Sequence, residues 1–176
     1  MKCLTSEELA MLVEPLGIRR LPTNYLDVPK RESEVLIKAP PCPLRLERFA
    51  GRLSNFLGDG ERILWLIDWE TDPINQYVLF TAIRKGYGEM RSLIAAPGHL
   101  FANGEIDDAA LLGGMSFLIV AFNWQAYLLS AGSADYILLG DSYLQFATNN
   151  SDKRRWLLEL MRDFDLKQIK DVREAW

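Results

Sequence analysis

The chain has 176 residues, with 20 Lys and Arg against 24 Asp and Glu, a formal net charge of −4 and 49% hydrophobic residues. It is long enough to bury one sizeable core, and its mild acidity argues against nucleic acid as the main partner, because phosphate binding leaves a basic footprint. Cys3 and Cys42 fit no metal-ligand spacing, and a cysteine close to a chain end is weak material for a disulfide, so a reducing, cytoplasmic setting is expected.

Residues 1–12 lack the continuous apolar region of a signal peptide, since Ser6-Glu7-Glu8 interrupts it. Thr5 and Glu8 have capping-box spacing, and Leu4 with Leu9 matches the hydrophobic staple. A helix therefore starts here, with Leu9, Leu12, Val13 and Leu16 inward, and closes at Gly17 or slightly earlier at Pro15. Residues 18–33, with Pro22 and Pro29, read as a loop or short irregular strand, and 34–39 as a strand stopped by Pro40-Pro41-Cys42-Pro43. Over 44–57, Leu46, Phe49, Leu53 and Phe56 recur at helical spacing, with Arg45, Glu47, Arg48 and Arg52 on the polar face. Gly58-Asp59-Gly60 is a turn.

Residues 61–101 organise the rest. Ile63, Trp65, Ile67 and Trp69 fall on one face of a strand and Leu64 and Leu66 on the other, as expected of a central strand covered on both sides. Asp72-Pro73 signals a helix start, Asp as cap and Pro at the first helical position. The spacing predicts a helix over 73–85 with Ile74, Tyr77, Val78 and Thr81 toward the core, widened by Leu79 and Ile83. A short strand is expected at 90–95, then a turn at Ala96-Pro97-Gly98-His99.

Asn103-Gly104 opens a further helix with Glu105, Asp107 and Asp108 at its positive end. The apolar run that follows, interrupted by Gly113-Gly114, is either one buried helix to about Phe122 or a helix to Leu112 and a strand at 117–122; the turn character of Asn123-Trp124 favours the single helix. Asp107, Asp108 and Asn123 break the run too often for a membrane span. Residues 125–130 and 136–139 pattern as an antiparallel pair, Asp141-Ser142 as the start of a short helix over 143–147, and Ser151-Asp152 as the start of a last helix with Trp156, Leu157, Leu160 and Phe164 inward. A charged, partly frayed tail follows from 167. The whole reads as an α/β or α+β domain with a mixed, mainly antiparallel sheet of about four to five strands packed by helices. Within it, 1–43 form an N-terminal helix, loop and strand, 44–147 the core, and 148–176 the C-terminal helix and tail.

Part of this pattern resembles a group of uncharacterised bacterial proteins. The matching residues are Trp65, Trp69, Asp72-Pro73, Tyr77, Arg84, Tyr87-Gly88, Ala96-Pro97-Gly98-His99-Leu100-Phe101, Glu105, Asp107, Trp124-x-Ala126-Tyr127-Leu128-Leu129 and Asp141-x-Tyr143. They span roughly 61–147, and the resemblance implies a shared fold without an activity. Analogy of class, not of residues, suggests bacterial immunity proteins that cover a toxin.

No catalytic or cofactor motif occurs, and neither a cofactor nor a metal is expected: Gly58-Asp59-Gly60 and Gly86-x-Gly88 match no phosphate loop. His99 is the single histidine, so histidine acid–base chemistry could use nothing else; the plainer reading is an imidazole bonded to backbone in a turn. Asp68, Glu70 and Asp72 cluster at the end of a central strand, where α/β sheets place ligands, or are a solvated strand end with Asp72 as cap. Trp124 offers an aromatic contact or core packing, and Arg45, Arg48 and Arg52 a basic stripe or a solvated face. Two functions follow. The first is a non-enzymatic protein-interaction module of immunity type, binding a basic partner through Asp68, Glu70, Asp72, His99 and Trp124. The second is a small hydrolase or metal-dependent enzyme using His99 with Asp68 or Glu70, which requires these groups to converge.

Overall fold

The computed structural model describes residues 1–69, 74–102, 106–140, 142–171 and 173. In chain order the elements are β1 (Lys2–Leu4), α1 (Ser6–Val13) with a 3-10 turn at Glu14–Leu16, β2 (Arg19–Arg20), β3 (Leu26–Asp27), β4 (Ser33–Lys38), α2 (Pro43–Ala50), α3 (Leu53–Leu57) and β5 (Arg62–Asp68). Then come α4 (Ile74–Gly86), β6 (Gly98–Phe101), α5 (Ile106–Ala121), β7 (Gln125–Ser130), β8 (Ser133–Leu139), β9 (Tyr143–Thr148), α6 (Ser151–Asp163) and β10 (Gln168–Ile169).

Among the described residues, one sheet of eight strands, in the order β1-β6-β5-β7-β8-β9-β4-β10, runs through the molecule. Every pairing in it is antiparallel. The expected four to five strands are thus too few. The additional ones are short segments too brief to show a period: β1, β10, and β6, which starts inside the stretch read as a turn. Residues 143–147 are a correction as well. Leu144 and Phe146 alternate inward along β9, which takes ladder partners from both β8 and β4, so period-two burial prevails over the Asp-Ser cap signal. Residues 90–95 form turns instead of a strand, with Leu93 buried and Met90 and Ile94 exposed.

β5 is central and its faces divide as its alternation dictates. Leu64 and Leu66 join the larger core, beneath α2, α3, α5 and α6; Ile63, Trp65 and Ile67 join a second core beneath α1 and the β2–β3 ribbon. Trp69 does not continue the Trp65 face. The register slips between Leu66 and Asp68, and Trp69 packs against the larger core instead.

Local signals fix the helices. The Thr5–Glu8 capping box closes around α1, and Gly17 ends the turn after it at φ 76°. The amphipathic stretch 44–57 breaks at Gly51-Arg52 into α2 and α3. α5 is a single helix through Gly113-Gly114 and ends in a Schellman motif: Asn123 at φ 57° donates to the Val120 carbonyl and Trp124 to that of Ile119.

Candidate functional site

The acidic strand end is only partly described. β5 ends at Asp68, which is exposed and opposite Gln125; Glu70 and Asp72 lie outside the described residues. His99 is elsewhere. In the ladder it faces Leu64, and it belongs to a row running Cys3, His99, Leu64, Leu128, Ile137, Phe146 and Val35 across seven strands. From Leu64 to Asp68 is about 13 Å along a strand rising ~3.3 Å per residue. The structure therefore does not bring His99 and Asp68 together.

His99 is fully buried, edge-on to Phe80 with ring centroids 5.7 Å apart, and neither ring nitrogen has a hydrogen-bond partner of normal geometry among the described residues. Burial, and secondarily the Arg84 guanidinium, pushes its pKa down to about 3. It is a neutral imidazole at pH 7 with no route to a substrate. Trp124 is likewise 1% exposed, packed on Phe80 and Phe122. Neither of these residues presents a surface to a partner, because the register of β6 and the α5 cap turn both side chains into the core.

Around His99 lies a buried polar group that sequence reasoning missed. Arg84 is 1% exposed; its Nη2 donates to the Ala96 carbonyl at 2.7 Å, while Nε and Nη1 have no hydrogen-bond partner among the described residues. Burial pushes the Cys3 thiol up, opposed by Arg84. At the rim, Arg91 grips Glu89 through Nε and Nη2 at 2.9 and 2.6 Å and holds its carboxyl down at about 2. A second Nη2 bond, 3.1 Å to the Cys3 carbonyl, ties this pair to β1. Chemically the set positions chain: Arg84 ties the 87–97 segment to α4 through Ala96, and Arg91 ties it to β1 through Cys3. Arg84 stands beside Lys85 in the last turn of α4, where an exposed cation is ordinary, so the sequence gives no sign of an inward charge.

The feature most unlike a finished surface is α4. Its buried line is Phe80 and Arg84, with Tyr77, Thr81 and Ile83 half-buried. Ile74 and Val78, expected inward, are 71% and 55% exposed, and Leu79 is 46% exposed. The helix is rotated from its expected phase because Phe80 and Arg84, one turn apart, take the inner position. Of eleven large exposed hydrophobics among the described residues, six (Ile74, Val78, Leu79, Tyr87, Met90 and Ile94) come from this helix and the segment after it. Small Thr81 and Ala82 leave a groove of about 280 Å³ between Tyr77, Val78 and Lys85.

Among the described residues, no group of three or more His, Cys, Asp or Glu is placed to hold a metal ion, and no helix is long and apolar enough to cross a membrane. In comparison with known proteins, no family model, no curated protein and no solved structure matches the chain.

Proposed function

We propose that the protein is a protein-interaction module that engages a partner through the outer face of α4 and the segment following it. The observation that carries this reading is the exposure of Ile74, Val78 and Leu79 on one helix, followed closely by Tyr87, Met90 and Ile94. Concentrated exposed apolar side chains are costly to keep in water and mark interaction sites. The Thr81–Ala82 groove supplies the concavity into which a partner's anchoring side chain fits. The net charge of −4 and the exposed Asp68 favour a basic partner, in the manner of an immunity protein that covers a toxin.

The test is capture of partners from native lysate, followed by titration of the purified partner against wild-type, Val78→Arg and Asp68→Lys proteins. One stoichiometric basic partner is expected, with affinity lost in Val78→Arg and reduced in Asp68→Lys. A partner that binds Val78→Arg as tightly as wild type would refute the assignment of this face.

A further inference from the structure

A separate cavity of about 340 Å³ lies on the other side of the larger core, between the end of β4, the start of α2 and the end of α5. Its walls are apolar: Pro40 and Pro41 from the loop before α2, Pro43 and Leu46 from α2, and Phe117 and Val120 from α5. That volume falls at the lower end of the range for small-molecule sites, which combine such walls with a few converging polar groups. Here those groups are Lys38, Asn123 and Ser142.

Their chemistry selects the ligand. Lys38 is exposed at the rim and has no ion pair or hydrogen bond among the described residues. The Ser142 hydroxyl is buried without a hydrogen-bond partner among the described residues, while its own carbonyl accepts from the Ala39 N–H. Engaging a ligand would break no hydrogen bond of that hydroxyl among the described residues. α2 begins at the same wall with Pro43, which has no N–H, and its Leu44 and Arg45 N–H groups face the Cys42 thiol instead. The opposing negative end of α5 is muted, because the Leu118, Ile119 and Val120 carbonyls are all taken by main-chain N–H groups of the cap. An apolar, half-open cavity with a cation and a hydroxyl that both lack a partner among the described residues suits an apolar body carrying one negative oxygen group.

We infer that this cavity is a binding site for a small aliphatic monocarboxylate, its tail against Phe117, Val120 and the proline wall and its carboxylate at Lys38 and Ser142. This site is independent of the α4 face. The probe is octanoate, with octan-1-ol as its uncharged counterpart, titrated calorimetrically into the wild-type, Lys38→Gln, Ala121→Trp and Val78→Arg proteins. One saturable site is expected, with octanoate held roughly tenfold more tightly than octanol, as one charge-assisted contact would give. Lys38→Gln should bring octanoate down to the octanol level and leave octanol unchanged. Ala121→Trp, which fills the cavity from α5, should abolish both, and Val78→Arg should change neither. Lys38 is exposed and unpaired, so Lys38→Gln reads binding even if Ala121→Trp fails to fold. Absence of saturable octanoate binding to the wild type, equal octanoate affinity in Lys38→Gln, or loss of binding in Val78→Arg would overturn the inference.

Discussion

His99 occupies a position that its six neighbours in the cross-sheet row fill with apolar side chains or a buried thiol, and its charge state is therefore coupled to folding. Its folded pKa of about 3 lies below the ordinary value of 6.5, so on acidification the unfolded chain takes up the proton first. The neutral-His contribution is complete above pH 6.5 and is lost as pH falls toward 3. Between pH 6.5, where the unfolded imidazole is half protonated, and pH 5 this amounts to about 1.6 kcal/mol, the slope approaching ~1.36 kcal/mol per unit only toward the lower end. Glu89, held at about 2, does not titrate in that window. Urea denaturation at the two pH values should show that loss in the wild type and little of it in His99→Leu; an equal loss in both would place the acid sensitivity elsewhere. A second residue-scale prediction concerns Asp135, 8% exposed, whose carboxylate accepts from Lys153 Nζ at 2.7 Å. Burial alone would raise its pKa, but Lys153, Thr148 and Ser133 outweigh that and hold it below the usual range. Lys153 also donates to the Leu57 carbonyl and lies over the Phe56 ring, joining α6 to α3. Lys153→Met leaves Asp135 buried without its cation and should cost about 3 kcal/mol, read as a lowered denaturation midpoint.

At the scale of elements, the adjacent glycines of α5 have opposite roles. A Cβ on Gly113 would meet the Gly51 Cα at 2.9 Å, so this glycine sets how closely α5 crosses α2; one on Gly114 would meet nothing within 4 Å. Gly114→Ala should stabilise by up to about 1 kcal/mol through helix propensity, whereas Gly113→Ala should destabilise despite the same propensity gain. Thermal denaturation of the two variants checks this, and equal shifts would contradict the close crossing. α4 gives the complementary contrast. Phe80→Ala removes a fully buried ring touching His99 and Trp124 and should cost about 3–5 kcal/mol, while Val78→Ala should cost under about 0.5. The phase of this helix was illegible in sequence for a physical reason. Apolar residues occur nearly all round it, so periodicity could not choose a face, and the inner line includes a charged residue. α1, by contrast, was legible down to its cap, because the Thr5–Glu8 box and Gly17 act locally.

Across the whole molecule, the sequence reveals what is periodic and local, and conceals what depends on pairing. The two-faced burial of β5 and the β7–β8 pair are written in side-chain alternation, whereas the near-uniformly apolar α5 left a single helix and a helix–strand reading open, with only the turn at Asn123-Trp124 to favour the helix. β1, β6 and β10 are not, since strands of two to four residues exist only because a neighbouring edge supplies their hydrogen bonds. They also join the first and last segments of the chain into one sheet. Of the candidate site residues, Asp68 is exposed at the end of β5, whereas His99 and Trp124 are drawn inside by register and capping that no single residue announces. The surface that replaces them, on α4, becomes apparent only once Phe80 and Arg84 are seen to face inward. The most direct test of that surface is site-specific photocrosslinking in native lysate, with a benzophenone side chain at position 78 and a control at the exposed Glu47 of α2. A discrete crosslinked product at 78, absent at 47, is the predicted result; no product at 78, or the same products at both positions, would contradict the assignment of α4 as the docking face.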